Sequence, residues 1–393
     1  MTNTAQNTTD RIWTIPQPNR DLPHLGYPLL EGVETHTLFR PSIEDGGYNH
    51  HPRIRHHGGR FVATWSNHPH GEDGPGQRVL LTEGKTLNAM GAEWRELFSP
   101  ISEVKQSEEC GLVLTSVRLL VAEGRLFGCV GVNENVGFTN AELTSTAPVR
   151  SLEHPMRKRK PYSPIVREIR EDGSLGPIHA LFADNIIPTE KTAYPVAHPD
   201  EGDHAAIAAP LKEEFLKDPL LAWDWEGRLN RPSETWLCES VRYTTAKGEV
   251  RILSRDELYS HNLYLSLPNK TETGWQTPIQ TNIPDAPSLC STVCTEEGCV
   301  ILIGNQTSWE QEGVEHFPRD PLTVAVSPDG ECFDRAWALV SNPAPHRLEG
   351  VIGRGPGPQY PYAILHGNRL IVIYSQGKED ICVAEVELSA LGL

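Results

Sequence analysis

Three features of the chain predict an all-β fold, a single β-propeller of four-stranded blades. Paired apolar runs recur along it as hairpins, and most pairs are followed by a third apolar run. Its 33 glycines and 32 prolines are spread throughout, as many strands joined by turns require. A length of 393 residues could hold two or three ordinary domains, but one large all-β unit also fits. A stack of β-sandwiches is the competing architecture, and the even rhythm of hairpins speaks against it.

The first hairpin runs over 53–57 and 60–66 around Gly58–Gly59. Phe61, Ala63 and Trp65 alternate with Arg60, Val62 and Thr64, the pattern of a strand with one packed face. Pro52 presses His51 toward an extended conformation. Counting back from the turn sets His51 opposite Ser66 and His50 beside Asn67, with His70 hanging from the same end. An acidic loop over 71–76, carrying Glu72 and Asp73, leads into Gln77 and Arg78 on the next strand. A lone histidine is more often structural than catalytic. The convergence of His50, His70, Asn67 and Arg78 on one rim makes that rim the candidate active face.

Five more hairpins follow, over 117–130, 166–182, 240–255, 290–303 and 362–374. Third strands are expected at 79–81, 263–267, 322–326 and 381–388, and an early strand over 35–39 should close the ring by pairing with the C-terminal strands. One helix is predicted over 210–217, starting at Pro210 and stopped by Asp218–Pro219, within a helical insertion near 203–218. It is short and carries both signs of charge, unlike a membrane-surface helix. The second strand of each hairpin returns to one rim. This brings Asn133, Glu134, Asn135, Asp184, Asn185, Arg255, Asp256, Asn305, Gln306 and Ser375 to equivalent places around a channel mouth. Strand ends are polar in any protein, since they lead into turns. Arg255 is the most informative of these, because a guanidinium captures a carboxylate bidentately.

A net charge of −17 speaks against nucleic acid or an anionic membrane as partner. The basic run over 157–160 reads as a solvated loop. No apolar run is long enough to span a bilayer, and the first ten residues carry no apolar leader core. The expected location is cytoplasmic, or secreted if a leader had been removed. Cys290, Cys294 and Cys299 are the only clustered cysteines; they lack zinc-site spacing and read as buried thiols. Trp65, Trp236 and Trp309 read as core. No metal site and no organic cofactor is expected. A calcium ion in the channel would suit the fold, but no motif asks for one.

Several stretches resemble the BNR/sialidase-like propellers: YNHHPRIRHHGGRFVATWSN from Tyr48, EDGSLGPIHALF from Glu171, RDPLTVAVSPDG from Arg319 and YPYAILHGNRLIVIYSQGKEDICVAEVEL from Tyr360. GEDGPGQRV, NIPDAPS and LIGNQ add to the likeness, which covers nearly the whole chain. Within that group the chain looks most like seven-bladed propellers acting on L-rhamnose-α-1,4-D-glucuronate ends, which include lyases and rhamnosidases. The resemblance implies seven blades, with six left open by the hairpins in sight. It also implies an oligosaccharide substrate and catalysis at the His-His-Pro motif. A uronate lyase neutralises the carboxylate, for which Arg255 or Arg78 is suited, and moves protons with His50 or His51, assisted by His70. Asn67, Asn135, Arg319, Tyr360 and Tyr362 complete the expected substrate contacts. The likeness to true sialidases implies instead a triad of Arg255, Arg319 and Arg354 with Tyr360 or Tyr362 as nucleophile. The Asp-box at Ser327-Pro328-Asp329-Gly330 falls one residue short of theirs. A conventional hydrolase would use Glu72 and Asp73. A carbohydrate-binding propeller without catalysis and a protein scaffold are the remaining alternatives.

Overall fold

The computed structural model describes residues 12–74, 76–99, 110–136, 160–192, 194–217, 236–257, 260–269, 274–309, 317–351 and 355–393. The chain begins its β-structure with β1 (Glu34–Phe39). The next four strands, β2 (Tyr48–His57), β3 (Arg60–His68), β4 (Arg78–Gly84) and β5 (Arg95–Phe98), form one antiparallel blade. A second comprises β6 (Cys110–Ala122), β7 (Arg125–Val136), β8 (Lys160–Ile169) and β9 (Leu175–Ala180). The third holds β10 (Leu237–Thr244), β11 (Val250–Asp256), β12 (Asn262–Ser266) and β13 (Ile279–Pro284). The fourth holds β14 (Ser291–Cys294), β15 (Val300–Gly304), β16 (Leu322–Ser327) and β17 (Arg335–Val340). The fifth takes β18 (Pro358–His366), β19 (Arg369–Gln376) and β20 (Asp380–Glu387), and β1 returns to pair with β20 as its outer strand. The predicted closure of the ring by the early strand is therefore found. It makes a strand from the early part of the chain the outer strand of the last blade.

The described residues form five blades, not seven or six. Each of the six predicted hairpins exists, but the one over 166–182 is β8–β9, the outer half of the blade that β6 and β7 begin. Counting hairpins as blades counted that sheet twice.

Neighbouring blades meet through their first strands, β2 against β6 and β18, and β14 against β10 and β18. The apolar core lies in the wedges between sheets. Phe61, Ala63 and Trp65 pack with Ile371, Ile373 and Val383 of the fifth blade, while Val62 packs with Leu114 and Val130 of the second. Strand β3 is therefore covered on both faces, where its alternation had suggested one. The wedge beside β6 and β7 is filled by a helix, α1 (Ala205–Leu216), through Ile207, Leu211 and Phe215 against Leu120, Phe127 and Cys129. This helix starts five residues earlier than predicted and carries Pro210 inside it. The alanines at 205, 206, 208 and 209 favour helix strongly enough to precede the proline. Arg118 on β6 and Arg242 on β10 donate to the carbonyls of Glu214 and Lys217, tying the helix end to two blades.

The Asp-box turn forms despite its missing residue. The Ser327 hydroxyl accepts from the Gly330 N–H, and Asp329 accepts from the Glu331 N–H. Of the basic run at 157–160, only Lys160, the first residue of β8, is within the described residues.

Candidate active site

Three first strands carry the same irregularity. The ladder slips by one residue between His50 and Arg53 on β2, between Cys238 and Val241 on β10, and between Gln359 and Tyr362 on β18. The extra residue in each case is left-handed: His51 at φ 53°, Glu239 at 49° and Tyr360 at 54°. None is glycine, and His51 and Tyr360 both precede prolines, which press the residue before them toward extended conformations. The expected extended His51 opposite Ser66 is thus corrected: Ser66 faces His50, and His51 is bulged out of the ladder. Asp73 and Lys378 are left-handed too, at 58° and 54°. Strained backbone concentrated on ionisable and aromatic side chains makes this face the candidate site.

The bulges assemble one cluster. Arg255, at the end of β11, donates from Nη1 to the Tyr360 hydroxyl at 2.9 Å, and that hydroxyl donates to Glu239 Oε1 at 2.9 Å. Glu239 Oε2 lies 2.9 Å from Arg255 Nε, and Glu257 pairs with Arg255 Nη2. The Pro287 carbonyl accepts from Arg255 at 3.1 Å and from Arg319 at 2.5 Å, so one loop positions both guanidiniums. Arg319 also donates to Gln359 Oε1 at 2.6 Å. Three cations lie over the Tyr360 ring, Arg319 at 5.4 Å, Arg255 at 5.6 Å and Lys378 at 5.9 Å. The His50 ring approaches Tyr360 at 4.0 Å and His51 at 4.5 Å. Lys378 donates to Glu72 Oε2 at 2.5 Å, binding the acidic loop of the first blade to the fifth.

Burial and neighbouring charge set the ionisation of these groups. Burial drives the Tyr360 hydroxyl well above the usual phenol range, against the pull of Arg255, so it rests as the neutral phenol. Burial also drives His50 well below the usual imidazole range, and the nearby Lys378, His51, Arg319 and Arg255 charges push the same way. His51 is lowered as well, mainly by burial, which outweighs Glu72 and Asp73. Burial would raise Glu72, but Lys378 and His51 overcome it and hold the carboxylate down at about 2. Burial raises Asp285 to about 7, although Arg255 and Arg319 oppose it. Burial lowers Lys378 despite Glu72.

The predicted site residues divide. His50, His51, Arg255, Arg319 and Tyr360 come together. Tyr362 instead lies under Arg53 at 5.3 Å and lines a cavity of about 440 Å³ with Arg118, Ser240 and Arg242. Asn67 is buried and donates to Asp45, Gly46 and Asn49, while Arg78 is held by Glu96, Asn67 and the Asp45 carbonyl; both serve the blade framework. His70 is exposed, with its ring edge-on to His68 at 5.9 Å. Asn135 stands on β7 opposite Gly111. Arg354 lies outside the described residues. Glu239, Lys378 and Asp285 were not singled out from the sequence. Glu239 could have been found, since it lies 16 positions before Arg255 on the preceding strand of the same hairpin.

Comparison with known proteins agrees with this architecture. The BNR repeat-like domain matches residues 189–373. No curated protein matches the sequence significantly. A sialidase structure superposes with a TM-score of 0.70 at 20% identity, over 96% of this chain and 35% of that one, so the chain spans about a third of that protein. Trypanosoma rangeli sialidase in complex with sialic acid superposes with a TM-score of 0.52 at 12% identity, over 93% of this chain and 60% of that one. A protein of unknown function from Dyadobacter fermentans gives 0.51 at 12% identity, over 91% and 99% of the two chains. The fold is a β-propeller with five described blades, similar to the sialidase structures, and its later part matches the BNR repeat-like domain.

Proposed function

We propose that this propeller is a glycoside hydrolase that releases a terminal acidic sugar through a covalent intermediate on Tyr360. The observation that carries the reading is the Tyr360 hydroxyl held between Glu239 and Arg255. A phenol is a poor nucleophile until a base takes its proton, and Glu239 is within reach to do so as the oxygen attacks the anomeric carbon. Arg255 donates to the oxygen that gains charge. Arg319 and Lys378 supply the cationic surroundings for a sugar carboxylate; Arg255 is already engaged by Glu239, Glu257 and Pro287. Glu72, held ionised by Lys378, is unsuited to donate a proton. Asp73, on the same loop, is assigned as the acid for the departing oxygen. Tyrosine nucleophiles are the sialidase exception to the two-carboxylate rule, and the fold likeness supports the choice.

Elimination from a uronate is the second reading. It is favoured by the bulged His51, whose lowered basicity leaves a neutral imidazole ready to accept a proton at neutral pH. The test is turnover of aryl glycosides of sialic and glucuronic acid and of rhamnose-capped glucuronate oligosaccharides. Hydrolysis gives saturated products and should fall by roughly a hundredfold or more in Tyr360→Phe. An ultraviolet-absorbing unsaturated product, retained in Tyr360→Phe and lost in His51→Gln, would replace this reading with the lyase.

A further inference from the structure

His50 is fully buried, yet neither of its ring nitrogens has a hydrogen-bond partner, and Nδ1 of His51 is also buried and unpartnered. Buried polar atoms are nearly always paired, so three orphans in two adjacent rings point to something that binds there. Neighbours on a regular strand face opposite sides. Here the left-handed His51 folds its ring to the same side as His50, at the cost of strain ahead of Pro52. One donor atom from each of His50, His51 and Glu72 lies within 4.8 Å of the other two.

We propose that His50, His51 and Glu72 form a binding site for a transition-metal dication of zinc's ligand preference. Two imidazoles and one carboxylate suit a borderline ion; calcium takes oxygen ligands and fits poorly. Ligand atoms on one zinc sit about 3.3 Å apart, so the rings need only rotate inward modestly. The charges around the site are mixed. Glu72, Asp73 and Glu239 face His51, with Arg53 opposing them. Lys378, Arg319 and Arg255 face His50, but Arg255 is neutralised by Glu239 and Glu257. Lys378 is the competitor, since it occupies Glu72 Oε2. The site therefore binds with an affinity that Lys378 limits.

The test uses the full chain, stripped with chelator and titrated with zinc and, separately, cobalt(II). The expected result is one ion per chain, with a cobalt spectrum free of thiolate charge transfer. This distinguishes the site from cysteines such as the exposed Cys294. His51→Gln and Glu72→Gln should each weaken binding at least tenfold, with folding checked by circular dichroism. Lys378→Met should tighten it by about tenfold to a hundredfold. Absence of stoichiometric binding in both wild type and Lys378→Met, binding unaffected by His51→Gln and Glu72→Gln, or a thiolate spectrum would each overturn the proposal. These readouts are independent of any glycosidase activity, so either reading can fail without the other.

Discussion

Two carboxyls of the site respond to pH in opposite directions. Glu72 is held down at about 2, below its unfolded value. Its contribution is present above about pH 4.5 and is lost as pH falls toward 2. It amounts to at most about 3 kcal/mol, and less in practice because the side chain is partly exposed. Asp285 is raised to about 7. Relative to the unfolded chain it favours folding only at acid pH, and that advantage is lost as pH rises from about 4 through 7. Asp285→Asn keeps the shape without the charge, so it should raise thermal stability at pH 8 by about 2 to 4 kcal/mol and change little at pH 4. Melting curves at the two pH values check this. Glu239→Gln makes a different prediction, since it leaves Arg255 with one fewer counter-charge in a buried setting. Destabilisation of about 1 to 3 kcal/mol should accompany loss of turnover, read by denaturant unfolding alongside activity.

At the scale of the element, the hairpins were legible in the sequence and the bulges were not. Gly58–Gly59, Glu123–Gly124 and Gly367–Asn368 mark tight turns between apolar runs, and each turn lies where the pattern put it. Glu123 takes φ 49° ahead of Gly124 at 71°. Asparagine tolerates that conformation better, so Glu123→Asn should stabilise by about 0.5 to 1 kcal/mol in thermal or denaturant unfolding. A bulge shifts the register by one residue and leaves no mark in an alternating pattern. Straight counting from the turn therefore put His51 opposite Ser66 and missed that His50 and His51 share a side. Lys378 and Tyr360 lie far from the His-His-Pro motif in sequence, and only closure of the ring brings them to it. Arg255 was singled out from the sequence because arginine suits carboxylate capture, and the fold sets it against Tyr360.

For the whole molecule, local patterns yielded the propeller, while the number of blades depends on which hairpins share a sheet. The strand pair β8–β9 looks like its neighbours along the chain, and only its pairing with β7 assigns it to the second blade. The seam makes a testable demand. Removing residues up to Arg40 deletes β1 and uncovers the edge of β20, so the truncated chain should melt at lower temperature and self-associate in size-exclusion chromatography. Three blades together build the cluster around Tyr360: β10 supplies Glu239, β11 of the same sheet supplies Arg255, and β18 supplies Tyr360, with His50 and His51 from β2 beside it. The most direct measurement is turnover of aryl glycosides of sialic and glucuronic acid by wild type and Tyr360→Phe, with intact-mass analysis of the quenched wild-type reaction. The account predicts saturated products, a sugar adduct mapping to the Tyr360 peptide, and loss of both in Tyr360→Phe. Unimpaired turnover in Tyr360→Phe, or an unsaturated product without an adduct, would contradict it.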